Sequence, residues 1–192
     1  MARPQEFTTA DVLHAAMRLF WRKGYEATSM QDLLGATGLS KSSLYSSFGS
    51  KRDLMLAAFD TYRLNRKQDM SRMLAQGTGR QGVEAFFQTI VEDAAGPEHG
   101  RGCMSINQAV ELAPYDEEVR RRVEQDLQLI EDGLALALAR GQTDGSIGST
   151  RPARELAQLL VLGFPGLQVM SRARLSSSRT SGSLRLLLAL LD

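Results

Sequence analysis

The stretch of sequence that decides the fold is TSMQDLLGATGLSKSSLYSSFGSKR, residues 28–52. It contains two short helix signals, a glycine turn at Gly38 and the start of a third helix. Helices this short cannot bury a core of their own, and the second one carries lysine and serine where a core helix carries leucine and valine. The stretch is therefore typical of a helix-turn-helix, in which the first helix braces the second and the second docks on DNA.

The open face of the second short helix is polar. Leu33, Leu39, Leu44 and Phe48 are expected to bury the junction, so the remaining side chains stay accessible. Hydroxyl groups can bond to phosphates or base edges, and lysines supply positive charge for phosphates. The predicted DNA-contacting residues are Ser29, Lys41, Ser42, Ser43, Tyr45, Ser46, Ser47 and Lys51. Two other interpretations fit these residues alone. In the first, the segment is a small helical subdomain that binds protein; in the second, Tyr45 is a core residue.

The rest of the chain is also predicted to be helical, with no strand alternation. Capping residues stand at Thr8, Ser29, Ser40 and Ser50, each ahead of an apolar pattern with helical spacing. After a break at 76–82, further helices are predicted at about 81–95, 102–112, 116–140, 151–174 and 182–191. The Gly- and Ser-rich segments 141–148 and 176–183 are expected to separate them, and Pro165 to kink or split the helix at 151–174.

Composition and charge restrict the classes of protein. The chain has 192 residues, 43% of them hydrophobic, and a net charge of +1, which is typical of a globular protein. Residues 1–76 hold 11 basic and 7 acidic side chains, whereas residues 77–192 hold 12 and 15, so the first part is the basic one. A single cysteine, an N-terminus without an apolar leader and apolar windows too short for a membrane span predict a cytoplasmic protein with no membrane contact.

Two motifs carry a resemblance to a known family. Residues 16–29 read Ala-x-x-Leu-Phe-x-x-x-Gly-Tyr-x-x-Thr-Ser, and residues 38–54 read Gly-Leu-Ser-Lys-Ser-Ser-Leu-Tyr-x-x-Phe-x-Ser-Lys-x-x-Leu. Residues 8–56 thereby resemble the N-terminal domain of TetR family bacterial regulators. The resemblance places Lys41, Ser42, Ser43 and Tyr45 on the recognition helix. It places Lys51 at a phosphate contact. Ser46 and Ser47 depart from the Tyr-His that many members carry there.

The resemblance implies an all-α homodimer with two domains. Residues 1–52 are expected to form a three-helix helix-turn-helix domain, and residues 53–192 a larger helical domain for ligand binding and dimerisation through the last two helices. It also implies a repressor released from a palindromic operator by a small molecule or by modification of Cys103, because residues 101–115 are similar to the Gly-Cys segment of one subgroup. The alternative interpretation of Cys103 is that it is a small hydrophobic residue buried in the core.

Candidate ligand-binding residues combine apolar walls with few polar anchors, although core packing explains each of them as well. They are Phe59, Tyr62, Phe86, Phe87, Ile90, Cys103, Met104, Asn107 and Met170.

Other classes fit the sequence less well. Residues 77–82 match G-x-G-x-x-G literally but follow a helix rather than a strand, which argues against a nucleotide site. The two histidines lie far apart, so no metal and no cofactor are expected. The protein is not expected to be an enzyme. A helical-bundle enzyme or a ligand carrier without DNA binding is the alternative, and an RNA-binding or architectural protein is a further one.

Overall fold

The computed structural model describes residues 8–95 and 100–192, and within them the chain is helical with no strand. Residues 1–7, where a leader would lie, are outside the described residues. The helices in chain order are α1 (Thr9–Lys23), α2 (Met30–Thr37), α3 (Lys41–Phe48), α4 (Lys51–Leu74), α5 (Gly79–Ala95), α6 (Met104–Glu111), α7 (Glu117–Asp144), α8 (Ala153–Arg172) and α9 (Ser177–Leu188), followed by a 3-10 turn at Ala189–Leu191.

All four predicted caps are confirmed. Thr8, Ser29, Ser40 and Ser50 each accept a hydrogen bond from the backbone N–H three residues later. At α1 and α2 the bond is reciprocal, because an aspartate at the third position accepts from the capping residue. These caps explain how α2, α3 and α4 all begin within residues 28–52.

The helix-turn-helix is held together by a small apolar junction. α1 packs against α2 and α4, and α3 packs against α4. Leu33 and Leu44 are fully buried, while Leu39 and Phe48 are partly buried against the same core. Gly38 ends α2 with a φ of 70°, a left-handed conformation that glycine adopts without a Cβ clash. This turn determines the orientation of α3 relative to α2.

The remaining helices form one larger bundle. α4 and α5 pack against α7, α8 packs against α7 and α9, and α6 lies across α7. Phe86, Phe87 and Phe164 form an aromatic group in its interior, with the Phe86 and Phe164 rings 5.8 Å apart. No helix in the described part of the chain is long and apolar enough to span a bilayer.

Three predicted features of the bundle are wrong. One helix runs from Ala153 to Arg172 through Pro165, so the predicted split is absent, whereas the alternative, a kink, stays a prediction; the contacts of α8 with α5, α7 and α9 support the uninterrupted helix. α7 continues through Gly141 to Asp144 rather than ending near residue 140. α9 begins at Ser177, inside the predicted Ser-rich break. Thr180 and Leu184 are buried on this helix, so tertiary packing outweighs its weak helix propensity.

Candidate nucleic-acid interface and effector cavity

The outer surface of α3 consists of hydroxyl groups and one lysine. Leu44 is its only fully buried side chain, whereas Tyr45 is 43% exposed. The other predicted contact residues on this helix, Lys41, Ser42, Ser43, Ser46 and Ser47, are all exposed. No acidic residue occurs between Lys41 and Phe48. The face therefore offers hydrogen-bond donors and positive charge without a carboxylate that would repel a polyanion.

The α3 hydroxyls are ordered by local bonds. Ser40 Oγ lies 3.0 Å from Ser42 Oγ and 2.8 Å from Ser43 Oγ, and the Ser46 hydroxyl donates to the Ser43 carbonyl. A hydroxyl retains further hydrogen-bonding capacity when it makes one such contact. The local network thus fixes side-chain positions and leaves the groups able to contact a ligand.

The two predicted contacts outside α3 flank it. Ser29 is exposed at the start of α2, where it accepts from the N–H of Asp32. Lys51 is half-buried at the start of α4, with its Nζ 4.2 Å from the centre of the Tyr25 ring, a distance suited to a cation–π contact. The Lys23 ammonium, together with the Ser29 hydroxyl and N–H, lowers the pKa of the Asp32 carboxyl well below its usual range. Lys23 therefore has its charge matched by Asp32, whereas Lys41 has no ion-pair partner among the described residues.

A small cavity lies inside the bundle, between α4, α7 and the start of α6. Its volume is about 30 Å³. Its wall is formed by Tyr62, Arg63, Arg66, Lys67, Met70, Phe86, Cys103, Ser105, Asp126, Leu129, Ile130 and Phe164.

Three of the predicted ligand residues, Tyr62, Phe86 and Cys103, line this cavity. The others do not. Phe59, Phe87, Ile90 and Met104 are buried in the surrounding core, Met170 packs partly against it, and Asn107 lies in a separate surface groove, donating to the Arg101 carbonyl. The structure thus divides the predicted set into cavity wall, supporting core and, for Asn107, a separate surface groove.

Cys103 stands where the cavity meets the N-terminus of α6. The Tyr62 hydroxyl donates to Cys103 Sγ at 3.3 Å and accepts from the Met104 N–H at 3.2 Å. Burial raises the pKa of the Tyr62 hydroxyl well above its usual value, so this group remains protonated and keeps donating. Cys103 is itself 5% exposed, as the interpretation as a small buried residue predicts.

The polar part of the cavity wall was not among the predicted ligand-binding residues. Arg63, Arg66 and Lys67 lie on α4, and Ser105 and Asp126 face them. Arg63 Nε and the Ser105 hydroxyl donate to the two Asp126 carboxylate oxygens, at 2.7 and 2.6 Å. One signal was available: Tyr62, Arg66 and Met70 are spaced four apart, which places an arginine within an otherwise buried helical stripe. The described residues include no group of three or more His, Cys, Asp or Glu side chains arranged to hold a metal ion.

Comparison with known proteins identifies the architecture. Residues 12–58 match the model of bacterial regulatory proteins of the tetR family, and residues 79–185 match the model of the tetracyclin repressor-like C-terminal domain. The chain is 34% identical, over 194 aligned positions and the full length of both proteins, to the uncharacterized HTH-type transcriptional regulator YezE of Bacillus subtilis. The chain belongs to the TetR family. It is a DNA-binding transcriptional regulator of the helix-turn-helix type, and its family is one of regulators rather than enzymes.

Other TetR relatives support the same assignment. The transcriptional repressor ComR of Escherichia coli is 28% identical over 88% of this chain and 82% of its own. A cysteine mutant of the TetR regulator CifR, solved with 26-bp double-strand operator DNA, superposes with a TM-score of 0.85 at 27% identity, covering 99% of this chain and all of that one. The reduced form of NemR from E. coli shares the fold, with a TM-score of 0.85 at 18% identity over 95% of this chain and 96% of its own.

In this TetR protein the helix-turn-helix and the bundle are joined by polar contacts. The Trp21 indole N–H donates to the Gly102 carbonyl at 2.9 Å, next to Cys103. Arg52 donates twice to Asp116, at 2.6 and 2.9 Å, and the Glu26 N–H donates to the Glu111 carboxylate at 2.9 Å. α1 and the start of α4 are therefore attached to both ends of α6 and to the start of α7.

Proposed function

We propose that this protein is a repressor that binds a palindromic operator as a homodimer and leaves it when its C-terminal domain is altered. The observation that carries the proposal is the uniformly polar, acid-free outer face of α3, flanked by Lys51. On this face Lys41, Ser42, Ser43, Tyr45, Ser46 and Ser47 contact DNA, and Ser29 and Lys51 contact phosphates beside it. Such a protein acts in the cytoplasm, where the DNA is. The repressor name of ComR supports the direction of regulation.

The homodimer is proposed to form through α8 and α9. Leu159, Leu162 and Val169 lie on the outside of α8, and Leu186 and Leu190 lie on or just after α9; Leu162 and Leu186 are 78% and 77% exposed. Their spacing of three and four residues, or multiples of it, forms apolar stripes that a soluble protein covers. Two such stripes from each chain would form a four-helix interface. Two copies related by a twofold axis place their α3 helices about 34–36 Å apart, on successive turns of the major groove.

Release is proposed to begin at the cavity or at Cys103. A ligand in the cavity, or a covalent group on Sγ, cannot be accommodated in about 30 Å³ without moving α4 or the start of α6. Both segments hold the helix-turn-helix, α6 through the neighbouring Gly102 carbonyl and α4 by continuity. Any ligand or modification that stabilises a different spacing of the two α3 helices lowers operator occupancy.

Selection of bound fragments from fragmented genomic DNA tests the function. We expect the purified protein to enrich a discrete palindrome, with half-sites separated by about one helical turn and binding that weakens steeply with salt. Enrichment of random duplex would contradict the proposal.

The Cys103 route needs its own comparison. If modification of Sγ releases the operator, oxidant or an alkylating agent lowers the operator affinity of the wild-type protein and leaves that of Cys103→Ser unchanged. Equal responses of the two proteins would exclude this cysteine as the sensor, and release would then depend on a non-covalent ligand.

A further inference from the structure

The cavity contains an arginine that the protein does not pair. Arg63 has Asp60, Asp126 and Gln125 as hydrogen-bond partners. One turn further along α4, Arg66 lines the same cavity and has no carboxylate oxygen within 4.0 Å among residues 8–95 and 100–192. Its side chain is nevertheless mostly buried. A guanidinium stays charged at any physiological pH, so this wall carries an arginine charge without a matching ion pair.

The charges on the wall do not balance. Arg63, Arg66 and Lys67 contribute three positive charges, and Asp126 is the only carboxylate that lines the space. Both Asp126 oxygens already accept hydrogen bonds, from Arg63 and from Ser105. Asp93, at the end of α5, interacts with Arg66 electrostatically but beyond ion-pair distance, and burial raises the pKa of its carboxyl. The surplus positive charge is therefore available to something that enters the cavity.

The opposite part of the wall is apolar. Phe86 and Phe164 stack with their ring centres 5.8 Å apart, and both are almost fully buried. The other apolar residues of the wall are Met70, Leu129 and Ile130. A cation beside hydrocarbon suits a ligand that carries one negative group on an apolar body.

We propose that the effector of this regulator is an organic monocarboxylate whose carboxylate pairs with Arg66 and whose hydrocarbon or aryl body packs against Phe86 and Phe164. The inference rests on the proposed effector-controlled release, and it specifies the chemical class of the effector. A guanidinium binds a carboxylate through two parallel hydrogen bonds, which accounts for an arginine at this position. Lys67, at the exposed side of the same wall, attracts the anion toward the cavity.

The size of the cavity connects binding to release. About 30 Å³ is far less than an aryl or acyl carboxylate needs, so the ligand must separate α4 from α7 as it enters. The same helix α4 begins beside the recognition helix, where Arg52 bonds to Asp116 at the start of α7. When α4 moves away from α7, the Arg52–Asp116 contact is therefore stretched, and the helix-turn-helix rotates relative to the bundle.

Matched pairs of ligands test the proposal. Calorimetry and operator displacement are measured with straight-chain carboxylates from butanoate to dodecanoate and with benzoate and phenylacetate, each beside its neutral amide. We expect at least one carboxylate to bind and to displace operator, with its amide about ten- to hundredfold weaker. Arg66→Met should lower carboxylate affinity by a similar factor and leave amide affinity unchanged. Asp93→Asn should raise carboxylate affinity, because it removes a negative charge that interacts with Arg66.

Arg72→Met is the control, since Arg72 lies on the same helix, is 75% exposed and pairs with Asp69. Circular dichroism and thermal unfolding establish that the variants are folded. Amides that bind as tightly as their carboxylates, an Arg66→Met protein with unchanged carboxylate affinity, or a series in which no carboxylate binds would each overturn the proposal. These results are separable from the repressor function, because operator binding is measured first without ligand. Loss of operator on addition of an amide but not of its carboxylate would support effector control while excluding an anionic effector.

Discussion

Lys41 is the only charged side chain of the recognition helix α3. It stands at the first position of that helix, exposed and without an ion-pair partner among the described residues, so its ammonium is free to contact a phosphate. The surrounding serines are uncharged and can bond to bases or phosphates only at close range. We therefore propose different roles for the two kinds of group on α3: the Lys41 charge contributes to affinity, and the hydroxyls contribute to sequence preference.

Lys41→Ala is expected to weaken operator binding and to reduce the dependence of log affinity on log salt by about one per protomer. The effect should be similar for different operator sequences, because a phosphate contact carries no base information. Fluorescence anisotropy with a labelled operator at several salt concentrations measures both quantities. Arg72→Ala removes the same charge far from α3 and should change neither. An unaltered salt slope in Lys41→Ala would remove this residue from the interface.

The sequence predicts the exposed surface of α3 better than it predicts the wall of the cavity. The exposure of Lys41, Ser42, Ser43 and Tyr45 followed from the pattern, because a short helix with one buried leucine has only one way to face its neighbours. Arg66 did not follow. Whether an arginine within a buried stripe reaches solvent or lines a cavity depends on what α7 places opposite, and no local pattern contains that information.

At the scale of elements, Asp116 serves two helices at once. It caps α7 by accepting from the Glu118 and Val119 N–H groups, and it accepts two bonds from Arg52 at the start of α4. The Arg52 guanidinium, the largest cause, together with the cap bonds lowers the pKa of the Asp116 carboxyl. The Asp116 carboxylate is thus one of the groups that attach the helix-turn-helix to the bundle.

Asp116→Asn separates these two roles, because asparagine caps helices about as well as aspartate but does not form the ion pair. We expect a loss of unfolding free energy of less than about 1 kcal/mol at pH 7, since Arg52 is 42% exposed, and a clear change in operator affinity. Because the folded pKa lies below the ordinary 3.8, the stabilisation is present above that pH. It is lost as the pH falls through the lower folded value.

Chemical denaturation of both proteins between pH 7 and pH 2 measures the difference. A double-mutant cycle with Arg52→Gln isolates the pair, and additive effects on operator affinity would show that the contact does not couple the domains.

Close helix approach explains the glycines that imitate a nucleotide-binding motif. A Cβ on Gly79, at the start of α5, would lie 2.1 Å from the Gly141 backbone nitrogen in α7, and a Cβ on Gly82 would lie 2.6 Å from the Leu74 carbonyl oxygen. Backbone atoms cannot move aside as side-chain ends do. Gly79 and Gly82 therefore allow close packing, whereas Gly77 has a positive φ of 57° and its Cβ would meet only the Gln81 side chain.

Gly79→Ala is expected to destabilise the protein by about 1–3 kcal/mol, the usual cost of inserting a methyl group into a packed interface. Gly35→Ala in α2 is the matched control. A Cβ there meets nothing within 4 Å, so the substitution should stabilise by about 0.5–1 kcal/mol through helix propensity. Urea denaturation of the two variants gives both values. Equal stabilities would mean that α5 and α7 adjust their spacing freely.

Helices that begin with a capping residue could be predicted from the sequence, whereas a helix that depends on tertiary packing could not. The four caps placed α1 to α4 correctly, because a capping side chain bonds to its own first turn. By contrast, α9 begins with Ser-Ser-Arg-Thr-Ser-Gly, which has low helix propensity. Its helical state depends on contacts with the preceding helix α8 and with α5, which lies far away in sequence. The predicted boundary between domains at residue 52 stays a prediction.

At the scale of the whole molecule, the proposed binding to a palindromic operator requires two copies at a fixed separation. One α3 covers a single half-site, and a helix of eight residues offers few contacts. Avidity between two tethered half-sites raises the affinity by orders of magnitude without new contacts. Dimer formation and operator affinity should therefore fall together when the interface is broken.

Leu162→Glu tests this link, because it places a charge in the exposed apolar stripe of α8. We expect a monomer at micromolar concentration in sedimentation velocity, with operator affinity reduced at least about a hundredfold, the lower range of the gain that avidity provides. Leu136→Glu on α7 is the matched control: Leu136 is 75% exposed, against 78% for Leu162, but lies outside the proposed interface, beside Leu74 and Ala137. It should remain dimeric and bind operator normally. A dimeric Leu162→Glu protein would place the interface on another face, whereas a monomer that binds operator with full affinity would show that each α3 acts alone.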